Sequence, residues 1–347
     1  MKAMILAAGL GTRLRPLTDH CPKPLLPLML QPMLAHLLRQ LQRYEVRDVI
    51  INLHHHATQL ATWLGDGSRW GLHLSLSFEQ EILGPAGALK RVEPWLRDGP
   101  FFVINADELV DLDLQAVWHW HAARPDALVT MVVRPDPAAR AYGAVVVDTA
   151  DRVVHINGRP SGRAAAAGQE TIFTGIQIVA PPVLDWIPPA RFVSTTAEVY
   201  PALIEHHQGV YGYRYTGYWL DVGVPERYLQ AHWDMLDGRL GDEWESYLPP
   251  GSQVVRYPDS GLTHAEGATI MPPVVFGPGV TVAPRAQIGP YTVLGTGCHV
   301  AAGALVQASV LGERVQVGAG THVRHCILGV DVCLPATSRL SKIIRSQ

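Results

Sequence analysis

The sequence predicts an α/β chain, with a Rossmann-like, mostly parallel sheet domain followed by a parallel β-helix. Three observations predict it. Up to about residue 240, short β-rich runs alternate with apolar spacings of three and four, the pattern of βαβ units. Beyond residue 262, bulky apolar residues recur at every sixth position, the period of stacked β-helix coils. Between them, residues 241–262 mix Gly, Pro, Ser and acidic groups as a linker does. The expected domains are therefore 1–240 and 263–347, joined by 241–262.

Lys2 to Ala7, Asp48 to Leu53, Leu72 to Phe78 and Phe101 to Asn105 read as strands. Met33, Leu37, Leu38 and Leu41 share one helix face, with Pro32 suited to the first turn. Ligands of such sheets bind beyond the C-terminal strand ends, so residues after Ala7, Leu53, Phe78 and Asn105 should converge. Ala127 to Val133, Tyr142 to Asp148, Thr171 to Val179 and Tyr213 to Leu220 read as further strands. A helix from Pro225 to Asp237 stops at Gly238. The six-residue repeat runs through Ile270, Phe276, Val282, Ile288, Leu294, Val300 and Val306 without a miss, then resumes out of phase at Leu311, Val317 and Val323. Cys298 falls among the small residues two positions before each bulky one, a core position.

Composition narrows the function. With 28 Lys+Arg against 31 Asp+Glu, the net charge of −3 offers no basic face for nucleic acid. Apolar residues at 48% and charged ones at 17% exclude general disorder. No apolar run approaches the ~18 residues of a membrane span, and the one after Lys2 is too short for a signal peptide. Four cysteines without a CxxC pair fit reduced thiols in a cytoplasmic protein. His54-His55-His56, His119 and His121 lack the HExxH spacing of a helical zinc site.

The chemistry sits after the first strand, in Gly9-Leu10-Gly11-Thr12-Arg13-Leu14-Arg15-Pro16-Leu17-Thr18 and then Pro22-Lys23-Pro24. Leu14 fails the dinucleotide fingerprint, and there is no GK[ST] of a Walker A loop. What is left is a glycine turn that can approach phosphates, followed by the cations Arg13 and Lys23. The whole string resembles the signature of the sugar-1-phosphate nucleotidyltransferases. Further matches follow in order: Glu81 to Leu89, Asn105-Ala106-Asp107, Tyr142-Gly143, Gly175-Ile176 and Gly217 to Gly223. The tail resembles the left-handed β-helix of the hexapeptide-repeat family, which recurs on such domains.

The resemblance implies nucleotidyl transfer from an NTP to a sugar-1-phosphate, with Mg²⁺ as cofactor. Asp107 and Asp221 match the family's metal-binding aspartates, and Arg13 and Lys23 are the catalytic cations. Ala8, Gly9, Gly11 and Thr12 would cradle the triphosphate, while Gln80, Gly84 and Gly87 lie near the base. Tyr142, Gly143, Thr174 and Gly175 would border the sugar, and Arg159 stands where relatives carry a phosphate-binding lysine. The sugar pocket departs from the family pattern in two further places. Phe173-Thr174-Gly175 replaces Asn-Ala-Gly, and Thr196 takes the place of a glutamate although Glu198 is near. The layout is most similar to mannose-1-phosphate guanylyltransferases; uridylyl- and thymidylyltransferases share most of the motifs. Two other readings stay open: an acyltransferase using His299, His322 or His325 of the β-helix, and a non-catalytic nucleotide-sugar-binding subunit. The β-helix is expected to mediate homo-oligomer assembly or regulation, with no essential catalytic residue. No nucleic-acid or membrane partner is expected.

Overall fold

The computed structural model describes residues 1–137, 139, 143–156, 168–256 and 267–346. It divides into two compact units, one of residues 1–10 and 37–219, the other of residues 11–36 and 220–347.

Among the described residues, the first unit is built on a nine-stranded sheet with a parallel core. Phe101–Asn105, Lys2–Leu6, Asp48–Leu53 and His73–Phe78 are consecutive, mutually parallel neighbours. Their C-terminal ends therefore share one edge, as the βαβ pattern requires. Gln169–Val179 then runs antiparallel to Phe101–Asn105, with Ile176 opposite Ile104. It also pairs antiparallel with Ala127–Pro135, beside which Gly209–Arg214 runs parallel. Met4, Phe101, Val103, Val129, Met131 and Tyr200 sit in a continuous apolar core.

Two expectations are corrected. The run Tyr213 to Leu220 is not one strand, because Gly209–Arg214 and Trp219–Asp221 are separate. Tyr215 causes the break: its hydroxyl donates to the carbonyls of Asp111 and, at 2.9 Å, Tyr218, folding the chain back. The first helix spans Met33–Arg43, one residue after Pro32, because Gln31–Pro32 pairs with Pro27–Leu28 in a short ladder.

In the second unit, residues from 269 onward form a left-handed β-helix of three parallel sheets. Phe276, Val282, Ile288, Leu294, Val300, Val306, Leu311, Val317 and Val323 all point into its core, together with Ala286, Cys298 and Ala304. Burial pushes the Cys298 thiol up to about 12, so it stays protonated as a small core group. The change of phase has a geometric origin. Phe276 pairs with Leu294, but Leu294 pairs with Leu311 and Leu311 with Leu328, so each coil from Leu294 onward is one residue shorter. Gly289-Pro290-Tyr291 turns the first corner, whereas Gln307-Ala308 turns the next one more tightly. Within 241–262, Gln253–Val255 adds an antiparallel strand against Val274–Phe276.

Candidate active site

In the first unit, the shared strand edge is sewn together by two buried side chains. The Ala7 amide donates to Asn52 Oδ1 at 2.8 Å, and Asn52 Nδ2 donates to Glu79 Oε1 at 2.8 Å. The other Glu79 oxygen accepts from the Leu83 amide at 3.0 Å. His54 Nδ1 lies 3.0 Å from the Glu79 carbonyl. Burying a carboxylate is costly unless its oxygens are paired, and here each has a donor. The network fixes the positions of Ala8, Gly9 and the exposed Gln80 at neighbouring strand ends. The sequence analysis does not single out Asn52 or Glu79; Asn52, a polar residue one before the end of the apolar run Val49–Leu53, is the available signal.

Gly84 and Gly87 open the helix Gly84–Arg91, and both serve close packing against residues 191–193. A Cβ at Gly84 would sit 2.7 Å from the Val193 carbonyl, and one at Gly87 would sit 2.8 Å from that of Arg191. The Ala86 amide donates to Val193 at 3.0 Å, so the first turn of this helix is already capped by backbone. Phe192 is left exposed beside Gly84.

Asp107 follows the strand Phe101–Asn105 at the same edge, half-buried. Asn105 Nδ2 donates to Glu108 Oε1 at 3.1 Å. Gly175, in the left-handed region at φ 78, lies directly over this pair, and a Cβ there would overlap both atoms. The Thr174 hydroxyl donates to the Val132 carbonyl at 2.9 Å inside the sheet, and the Thr174 carbonyl accepts from Trp219 Nε1 at 2.9 Å. Gly143 also takes a left-handed φ of 86. Tyr142 and Arg159 lie outside the described residues. Glu198 is engaged in a cap: it accepts from the Ser194 amide at 3.0 Å and pairs with Arg191 at 2.9 Å. The Ser194 hydroxyl in turn accepts from the Ala197 amide.

The second unit holds the signature loop. Gly11 has φ 64, and a Cβ there would press on Thr18 Cγ2 at 3.0 Å and Lys23 Cβ at 3.2 Å. Its carbonyl accepts from Thr18 Oγ1 at 2.9 Å and from the Leu14 amide at 3.0 Å. Thr12 and Arg13 project into solvent on the turn Thr12–Leu14, and half-buried Lys23 opens the turn Lys23–Leu25. Arg13 and Asp221 meet around Gly223: a Cβ at Gly223 would lie 2.9 Å from Arg13 Nη2 and from both Asp221 carboxylate oxygens. A guanidinium and a carboxylate around such a bare spot make a place where phosphate and a hard cation can be met together.

Among the described residues, no group of three or more His, Cys, Asp and Glu gathers as a metal cage. The Asp221 carboxylate beside Gly223 is a hard oxygen donor of the kind Mg²⁺ takes, one or two carboxylates with water and phosphate oxygens filling the rest. The three candidate histidines of the β-helix do not converge either. His299 lies on one sheet with Thr281 Oγ1 at 2.7 Å from its Nδ1, His322 lies on another sheet, and His325 turns a corner.

Residues 2–238 match the family described as "Nucleotidyl transferase", and residues 270–344 match the "GMPPB C-terminal domain". The chain belongs to the sugar-1-phosphate nucleotidyltransferase family. The first match takes in both the signature loop and Asp221. A mannose-1-phosphate guanylyltransferase of Mycobacterium tuberculosis is 32% identical, over 90% of this chain and 83% of its own. Mannose-1-phosphate guanylyltransferase 1 of Arabidopsis thaliana is 32% identical, over 96% and 92%. A UTP–glucose-1-phosphate uridylyltransferase of Synechocystis is 30% identical, over 94% and 88%. Among solved structures, HddC from Yersinia pseudotuberculosis superposes with a TM-score of 0.56 at 25% identity, covering 66% of this chain and 97% of that one. No helix among the described residues is long and apolar enough to cross a membrane.

Proposed function

We propose that this chain is a Mg²⁺-dependent mannose-1-phosphate guanylyltransferase that makes GDP-mannose and pyrophosphate in the cytoplasm as a homo-oligomer. The observation that carries the reading is Arg13 and Asp221 meeting around Gly223 in the second unit, in a chain along nine-tenths or more of which the Mycobacterium tuberculosis and Arabidopsis thaliana relatives of that name align.

A sugar-1-phosphate is already largely ionised near neutrality, so the chain needs neither a general base nor a nucleophilic side chain. A phosphate oxygen of the sugar attacks the α-phosphorus of the NTP. The bond to the bridging oxygen breaks, and pyrophosphate leaves with the electron pair. The obstacle is bringing two polyanions together in line, which is work for positioned cations. Backbone N–H groups at Ala8, Gly9, Gly11 and Thr12 would orient the triphosphate, while Arg13 and Lys23 would meet the charge that gathers on the leaving group. Bound through Asp107 and Asp221, Mg²⁺ would offset phosphate charge. Gln80 and the segment Gly84 to Gly87 would flank the base. Tyr142, Gly143, Gly175 and Arg159 would face the sugar phosphate, while the fully buried Thr174, its hydroxyl donating to Val132 and its carbonyl accepting from Trp219, would support that surface from behind.

Uridylyl transfer to glucose-1-phosphate is the second reading, favoured by the Synechocystis relative. Pyrophosphate release across a panel of the four NTPs and several sugar-1-phosphates decides between them. GTP with mannose-1-phosphate is expected to give the highest kcat/KM; a preference for UTP with glucose-1-phosphate would replace this assignment.

A further inference from the structure

We propose that Tyr228, His232 and Trp233 are positioning residues. Together they make the helix Pro225–Leu236 a clamp that holds the Lys23-bearing turn on one face and takes its own position from a corner of the β-helix. The proposal rests on the reading of Lys23 as a phosphate-binding cation.

On the first face, the Tyr228 hydroxyl donates to the Pro27 carbonyl, and His232 Nδ1 accepts from the Met29 amide at a long 3.5 Å. The two rings meet edge to face at 4.9 Å. The segment they hold needs support. Met29 and Leu30 both take left-handed φ values, 49 and 65, which side-chain-bearing residues adopt only when their surroundings impose it. His36 Nε2 adds a contact to the Leu28 carbonyl at 3.0 Å. Lys23 stands four residues before Pro27 and is linked to it by tight backbone turns. The Leu26 amide donates to the Lys23 carbonyl at 3.1 Å, and the Met33 amide donates back to Leu26 at 3.0 Å. A shift of Pro27 or Met29 is therefore passed to the lysine.

Trp233, the next residue along the helix, points a different way. Its ring lies 6.2 Å from that of Tyr291 and 5.9 Å from that of His325, at steep angles to both. Tyr291, Ala308 and His325 are the same corner position in successive coils, all with left-handed φ. The indole thus sits where the column carries its small residue between two rings. The Tyr291 hydroxyl donates to Asp237 Oδ1 at 2.9 Å, fixing the end of the same helix.

Hydrogen exchange on the full-length protein, read in peptides spanning residues 22–33, tests the clamp alongside steady-state pyrophosphate release. Trp233→Ala and Tyr291→Ala are expected to speed exchange in that segment and to lower kcat on the order of ten-fold, more than they raise the KM for NTP. Trp233→Phe should restore both. Should Trp233→Ala fail to fold, Tyr291→Ala carries the test from the β-helix side. A folded variant of either position that exchanges like wild type in 22–33, or that exchanges faster yet keeps wild-type kcat while Lys23→Ala loses it, overturns the proposal. If Lys23→Ala itself keeps full turnover, the assignment of Lys23 fails, and the exchange data alone decide whether the helix clamps the turn.

Discussion

Gly223 shows how a missing side chain organises a site. Any Cβ there would push Arg13 and Asp221 apart, so Gly223→Ala should lower turnover while leaving the fold intact. Arg13→Ala and Lys23→Ala should reduce kcat by about ten- to a thousand-fold, or roughly 1–4 kcal/mol of transition-state stabilisation. Asp107→Asn and Asp221→Asn should cost a similar amount and raise the divalent metal concentration needed for half-maximal rate. Gly175 makes a contrasting prediction, because its role is steric. Gly175→Ala forces a Cβ onto Asn105 and Glu108 at a left-handed φ, and should destabilise the protein by about 1–3 kcal/mol in urea titration. Much of this was legible in the sequence, since glycines, cations and aspartates came in a recognisable order. The partners that fix them were not. Nothing in one dimension says that Asn52 and Glu79 meet, or that Gly84 and Gly87 make room for residues 191–193.

At the scale of elements, the helix Pro225–Leu236 carries a pH signature. Burial holds His232 neutral, with its pKa lowered from 6.5 to about 3. Below pH 6.5 the unfolded chain takes up a proton at this histidine that the native chain refuses, so stability rises with pH through this window. The contribution is complete above pH 6.5 and is progressively lost as pH falls toward 3. Unfolding free energies from urea titration should therefore drop between pH 6.5 and 5, by up to about 1 kcal/mol per pH unit from this residue. His232→Asn should flatten that slope; an unchanged slope would mean His232 is protonated in the native state. Glu79→Ala should cost about 1–3 kcal/mol, because it strands Asn52 Nδ2 and the Leu83 amide in the interior. Elements with a strong period were readable in advance. The hexads from Phe276 to Val323 gave the β-helix core, including the phase slip, whose cause is a shortened corner. The run Tyr213 to Leu220 reads as one strand and is two, because period-two patterning cannot register a tyrosine hydroxyl tying the chain back on itself.

For the whole molecule, the division of labour expected from sequence kept the chemistry before residue 240 and assembly after it. Contacts of Trp233 and Asp237 with the β-helix refine this: the tail holds the helix that holds the loop. A chain ended after Leu248 should still release pyrophosphate, but more slowly than the full chain and with faster exchange in 22–33. On a sizing column it should also run with fewer subunits. The central claim is nucleotidyl transfer itself, and its most direct test is a product balance with GTP, mannose-1-phosphate and Mg²⁺. The account predicts GDP-mannose and pyrophosphate in equal amounts, both abolished by excess chelator and both strongly reduced in Lys23→Ala. Pyrophosphate formed together with GMP and no sugar conjugate, or equal turnover with the metal removed, would contradict it.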